Sequence, residues 1–119
     1  MNLFDNTELG LQAAIRGAGM RQTVLAQNLA NANTPGYLRK DINFESTLAD
    51  AMSAGVSPDQ VQFSATTDGS APVQADGNSV DVDTESAKMA ENGLEYQSLV
   101  AVERTRLDIL RSAMGAAGA

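Results

Sequence analysis

Residues 25–37 read Leu25-Ala26-Gln27-Asn28-Leu29-Ala30-Asn31-Ala32-Asn33-Thr34-Pro35-Gly36-Tyr37. Two signals meet there. The first half closes a repeat in which Leu11, Ile15, Ala18, Gln22, Leu25, Leu29 and Ala32 recur at alternating steps of four and three. That seven-residue period keeps one stripe of a helix on a partner helix. The second half is a stop. Asn31, Asn33, Thr34, Pro35, Gly36 and Tyr37 crowd turn residues into one stretch, and Pro35 disfavours helical angles at Thr34. Pro-Gly suits the two central positions of a type II turn, with Gly36 supplying the positive φ. Upstream, Asp5 is the expected N-cap, with Glu8 three residues on and Phe4 packing on Leu9 as a staple. The spacing predicts a helix from about Asn6 to Ala32, about 40 Å long. Gly17 and Gly19 interrupt it, each at a cost of about 1 kcal/mol of helix propensity. They mark either a loosened turn or a place where another backbone comes close.

The C-terminal third mirrors the first. Val82, Ser86, Met89, Gly93, Tyr96, Val100, Glu103, Leu107, Leu110 and Met114 follow the same alternation. Leu99, Val102, Ile109 and Ala113 form an adjacent second stripe. Asp83 or Thr84 is the expected cap, and Gly115 to Ala119 a frayed tail. Two stripes make this helix apolar over more than one partner would cover, so further chains should satisfy the second. Val100, Leu107 and Leu110 are expected to pack on Leu25, Leu29 or their neighbours. Leu99, Val102 and Ile109 are expected to face other subunits. Leu11, Ile15 and Tyr96 complete the expected assembly interface. The fold class is mainly α: paired, coiled-coil-like N- and C-terminal helices joined by an extended, partly disordered middle.

The 119 residues make one structural unit. Residues 1–52 hold the first helix, its turn and an extended segment; residues 80–119 hold the second helix. Residues 53–79 are the expected flexible acidic middle. Residues 51–83 contain no basic residue and five Asp, at positions 59, 68, 76, 81 and 83, which is most of the net charge of -7. Low hydropathy with uncompensated charge reads as a flexible connection, with a hairpin of 61–63 on 72–73 as the alternative, since Asp68-Gly69 is a turn signal. Asp59, Asp68 and Asp76 are expected to tolerate Ala as solvated loop charges.

The composition closes off most chemistry. Without Cys there is neither a disulfide nor a thiolate metal site, and without His the commonest general base and metal ligand are missing. Ser-His-Asp catalysis is therefore impossible. The acidic run from Asp76 to Glu85 does not fit a calcium loop: counted from Asp76, the ligand position 5 is Val80 and the glycine position 6 is Asp81. Gly17-Ala18-Gly19 lacks the third glycine of a dinucleotide fingerprint. No aromatic platform accompanies any carboxylate pair. Arg39-Lys40 is a basic pair rather than a patch, so nucleic acid is not an expected partner. No stretch is apolar and long enough to insert in a membrane. The N-terminus lacks the basic and apolar regions of a cleaved signal peptide. No enzyme activity and no cofactor is expected.

Residues 25–37 and their continuation, Leu38-Arg39-Lys40-Asp41-Ile42-Asn43-Phe44, resemble the N-terminal signature of flagellar axial proteins of the rod and hook class. Gly77-Asn78-Ser79-Val80-Asp81-Val82-Asp83-Thr84-Glu85 and the Asn92-x-x-x-Tyr96-Gln97 core resemble the approach to, and the start of, the C-terminal helix of the proximal-rod FlgB type. The resemblance spans roughly residues 9–50 and 76–114. It implies a structural protein of the flagellar basal body, built into the rod by helix packing and needing no cofactor. The implied partners are other rod subunits of the same and related types, the MS-ring and rod-junction proteins, and the flagellar type III export apparatus, with export needing no cleaved signal. The implied free monomer is only partly ordered. The other small proximal-rod protein, the C type, and a two-helix adaptor that never polymerises are the alternative readings.

Overall fold

Asp5 starts the first helix as its sequence requires. Its carboxylate accepts from the Glu8 backbone N–H at 2.8 Å, and α1 then runs without a break over Asn6–Ala30. In a computed structural model of the chain, residues 5–118 are described. The expected staple of Phe4 on Leu9 lies outside them. The remaining elements are β1 (Lys40–Asp41), α2 (Phe44–Ser53), a 3-10 turn (Pro58–Gln60), β2 (Thr66–Thr67) and α3 (Val82–Gly118). The two long helices dominate and give the molecule an extent of 67 × 29 × 14 Å.

Four local expectations are corrected. Residues 44–53 are a helix, not part of an extended segment; Asn43 caps it by accepting from Ser46 N–H at 3.2 Å. The cap of α3 is Asp81, whose carboxylate accepts from Thr84 N–H at 3.0 Å, rather than Asp83 or Thr84. At its other end α3 keeps helical backbone through Gly118, where a frayed tail was expected from Gly115. The middle does not fold as a hairpin of 61–63 on 72–73. Thr66–Thr67 pairs antiparallel with Lys40–Asp41, across the chain.

The core lies between α1, α2 and the middle segment. Ala13, Ala18, Val24, Ile42, Phe44, Val61 and Phe63 form it, with Leu48, Ala51 and Leu99 packed against its edge. Two of the middle's few apolar residues, Val61 and Phe63, are thus core, and Phe63 meets Phe44 edge to face at 6.0 Å between ring centroids. Arg16 covers Phe63 and donates to the Val61 carbonyl at 2.7 Å. Arg21 covers Phe44. Cation and ring together shield the aromatic pair while each guanidinium keeps polar partners.

The glycine pair in α1 is a place of close approach, and what approaches is side chain rather than backbone. A Cβ built on Gly17 would stand 2.5 Å from Cγ of Phe44, while one on Gly19 would stand 3.6 Å from Cε2 of Tyr96. Between them, the Ala18 carbonyl accepts from the Asn92 amide at 2.9 Å, although it already belongs to the helix ladder.

The gap at Gly17 sets a test. Gly17→Ala gains about 1 kcal/mol of helix propensity but forces Phe44 to move, at roughly 1–3 kcal/mol of overpacking. Gly93→Ala meets nothing within 4 Å and keeps the propensity gain. Urea denaturation should show the first variant destabilised and the second stabilised. A Gly17→Ala chain at least as stable as the parent would contradict this packing.

Candidate functional site

The turn after α1 has the expected geometry. Thr34 carbonyl accepts from Tyr37 N–H at 3.2 Å, and Gly36 carries φ 77°. This closed turn docks on the second signature stretch. Gly36 N–H donates to the Asp76 carbonyl at 3.0 Å, and Ser79 N–H to the Tyr37 carbonyl at 3.0 Å. Asn78 is fully buried, and its amide donates to the carbonyls of Asn31 at 2.9 Å and Thr34 at 2.8 Å. Its own Oδ1 accepts from Val80 N–H. Gly77, at φ 83°, lies so close to Gly36 that a Cβ there would stand 3.2 Å from the Gly36 Cα. Two backbone segments 40 residues apart in sequence thus clasp directly.

Arg39, two residues beyond Tyr37 of the clasp, is 3% exposed. Its guanidinium donates to Glu85 at 2.9 and 3.0 Å, to Asp68 at 2.6 Å and to Asp41 at 3.1 Å. Glu85 also accepts from the Asn28 amide at 2.6 Å. The paired Glu85 carboxylate raises the affinity of Arg39 for its proton above the ordinary arginine range, against the pull of burial. Asp68 is held below the usual carboxylate range, first by the Ser70 hydroxyl, with the Ser70 N–H and Arg39 adding to it. Asp68 is therefore not a freely solvated loop charge, and its expected tolerance of Ala is withdrawn. The sequence showed Arg39 as half of an isolated basic pair; its acidic partners lie in three separate places along the chain.

The helices run antiparallel, as the cross-links Glu8–Arg106, Arg21–Asn92 and Asn28–Glu85 fix. The face α3 turns to α1 is mostly polar. Glu85, Asn92, Leu99 and Arg106 lie on it at strict seven-residue steps; Glu85 and Asn92 are buried, and Leu99 sits at the core edge. Their partners on α1 are polar too: Asn92 Nδ2 donates to Gln22 at 2.7 Å and its Oδ1 accepts from Arg21. Arg21 also bridges Glu45 and Glu95. Burial and the neighbouring Glu45 push Glu95 above the ordinary carboxyl range despite Arg21. The expected packing of Val100, Leu107 and Leu110 on Leu25 and Leu29 is corrected. Leu25 and Leu29 flank Asn28 and so lie beside the start of α3, whereas residues 100–110 lie beside the start of α1.

The expected interface residues separate accordingly. On α1, Leu25 is buried, while Leu11, Ile15 and Leu29 are half-buried. On α3, Leu99, Val100 and Leu110 are half-buried, and Tyr96, Val102, Leu107 and Ile109 are exposed, Ile109 by 63%. Leu94 and Met114 join them, exposed by 67% and 63%. The turn residues Asn33, Thr34, Pro35 and Gly36 are exposed on one side of the clasp, with Asn31 and Tyr37 half-buried.

A family model described as "Flagella basal body rod protein" matches residues 18–37, the second half of α1 through the turn. The chain is 32% identical over 111 residues to the flagellar basal body rod protein FlgB of Bacillus subtilis, an alignment covering 84% of this chain and 86% of that protein. It is 37% identical over 105 residues to FlgB of Escherichia coli, covering 72% and 76%. It is 30% identical over 116 residues to FlgB of Aeromonas hydrophila, covering 87% and 88%.

The clasp ranks three substitutions. Pro35→Ala loses only a φ restraint and should cost least. Gly36→Ala puts a side chain at positive φ, at about 1–2 kcal/mol. Gly77→Ala adds to that strain a collision with backbone that has no rotamer to move, so it should be worst. Thermal unfolding of the three should give that order; equal midpoints would remove the clasp from the stability of the chain. For Asp68, the depressed affinity for protons gives stability above the ordinary carboxyl range that disappears as pH falls through the lowered value. The difference in melting temperature between the parent and Asp68→Asn should therefore shrink from pH 7 toward pH 3.

Proposed function

Because the chain belongs to the FlgB-type flagellar basal body rod proteins, we propose that its outward apolar residues on α3 are the surface by which it builds into the proximal rod. The chain is a structural rod component and acts through packing rather than chemistry. It associates with other rod components in the basal body. The observation that carries the reading is the inverted use of α3. The seam it turns to α1 carries the polar residues Glu85, Asn92 and Arg106, while Leu94, Val102, Leu107, Ile109 and Met114 are left to solvent. Such a face is a liability in a monomer and an asset in a helical array of identical, non-closing contacts. A two-helix adaptor with one partner has no use for apolar residues on so many sides of one helix. The relatives carry the B-type name, which disfavours the C-type alternative.

The finer assignments extend this reading. Leu11, Ile15, Tyr96, Val100 and Leu110 extend the interface along the helix pair, and Leu29 extends it beside the start of α3. The exposed side of the Thr34–Gly36 turn and the acidic middle, 53–79, form the outward part of the subunit. Neighbours at the base are the MS-ring and rod-junction proteins. The chain reaches its place through the flagellar type III export apparatus, without signal cleavage.

Val102→Ser and Ile109→Ser test the surface. Each changes an exposed residue, so stability of the free chain should move by no more than about 0.5 kcal/mol. Swimming in soft agar should nevertheless be lost, with export of the variant intact. Asp59→Ala should swim normally. Normal motility of both Ser variants, or loss with Asp59→Ala alone, overturns the proposed surface.

A further inference from the structure

Asn92 is the one asparagine of the chain that a glycine follows. That pair carries a chemistry of its own. Gly93 has no Cβ, so its backbone nitrogen can approach the side chain before it unhindered. The nitrogen gives up its proton and attacks Cγ of Asn92. The Cγ–Nδ2 bond breaks, and ammonia leaves with that proton. Water then opens the resulting succinimide ring at either carbonyl, giving Asp or isoaspartate. Nothing is oxidised or reduced, and water is the only co-reactant. The docked helix obstructs the first step. Asn92 is 2% exposed. Its amide is tied to the Ala18 carbonyl at 2.9 Å and to Gln22 Oε1 at 2.7 Å, and its Oδ1 accepts from Arg21 Nε at 2.7 Å. Both residues of the pair lie well inside α3. Helical angles there keep the Gly93 nitrogen turned away from Cγ, and its N–H is committed to the helix ladder. The three side-chain bonds all run to α1, so they are lost together when α3 leaves it.

We propose that Asn92-Gly93 is a self-modification site, shielded while α3 lies on α1 and open while it does not, whose products keep α3 from docking again. Isoaspartate routes the main chain through the former side chain and so lengthens the backbone by a CH2 group in the middle of α3. Glu85 on one side of that insertion then falls out of step with Leu99 and Arg106 on the other. The Asp product keeps the backbone length but loses the amide donor. Its carboxylate faces the Ala18 carbonyl and Gln22 Oε1, to which the amide had donated. It also adds a third carboxylate to Arg21, which already bridges Glu45 and Glu95. Buried acceptors left without a donor oppose the docked state. The mark runs one way. A chain whose α3 docks early keeps Asn92, and a chain left open loses it, so time away from α1 sorts the two. The inference concerns the α1–α3 pair of the chain itself and does not rest on the rod surface proposed above.

The test holds the full chain at neutral pH in buffer and in guanidinium chloride, then cuts it with trypsin. Cleavage after Lys88 and Arg104 releases residues 89–104, whose mass and chromatographic position report conversion of Asn92. Conversion in buffer should be slower by at least about tenfold, because only the open fraction of the chain reacts. After refolding, the converted chain should lack amide-exchange protection over residues 86–105, while unconverted chain regains it. Gly93→Ala is the control. Its Cβ meets nothing within 4 Å, so the Asn92 bonds stay in place, but its methyl hinders the attacking nitrogen. Through the same incubation in denaturant it should convert far more slowly and regain its protection. Equal conversion in buffer and denaturant overturns the proposal, as does a denatured parent that keeps Asn92 intact. So does a converted chain that refolds with the parent's protection, or a Gly93→Ala chain that loses protection with Asn92 intact.

Discussion

The buried charge of Arg39 constrains the whole arrangement. A guanidinium taken out of water must find partners for its fixed fork of donors, and a missing partner leaves an uncompensated buried charge. Here the partners come from β1, from the residue after β2 and from the first turn of α3. One side chain thereby places the middle segment beside the turn and brings the start of α3 to the end of α1. The Gly36–Gly77 contact and the Asn78 hydrogen bonds join the same two backbones. The neutral Asn28 amide, donating to Glu85 and to the Lys40 carbonyl, extends the same network into α1.

Much of the frame was legible in local sequence, because caps and turns are decided by neighbours. Asp5 capping α1, the turn at Thr34–Tyr37 with Gly36 at positive φ, and the two long helices needed no information from far along the chain. α2 was missed although Asn43 followed by Phe44, Leu48 and Ala51 is a cap and one apolar side of a short helix. The basic-acidic run before it read as extended, and the reading did not change at Asn43. The glycine pair announced a close approach but not its agents, since Phe44 and Tyr96 come from elements whose positions are set by tertiary packing.

The register of the helix pair was hidden for a different reason. A search for heptads looks for apolar residues and assumes they face the nearest helix. On α3 that assumption fails by one position: the inner seam of Glu85, Asn92, Leu99 and Arg106 lies beside the apolar stripe rather than on it. Polar seams carry specificity through paired hydrogen bonds, and their partners are visible only when both helices of the pair are seen. Asn92 illustrates the gain, as its one amide meets both the Ala18 carbonyl and the Gln22 side chain.

The spacing of these contacts along the chain has a kinetic consequence. Arg16 meets Val61 across 45 residues, Asn28 meets Glu85 across 57, Arg21 meets Asn92 across 71, and Glu8 meets Arg106 across 98. The aromatic core of Phe44 and Phe63 closes before α3 begins, whereas every α1–α3 cross-link awaits the last third. Entropy of loop closure grows with each longer span, and distant contacts slow folding. The chain should therefore assemble from its N-terminal half outward, docking α3 last and zipping it from Glu85 toward Arg106.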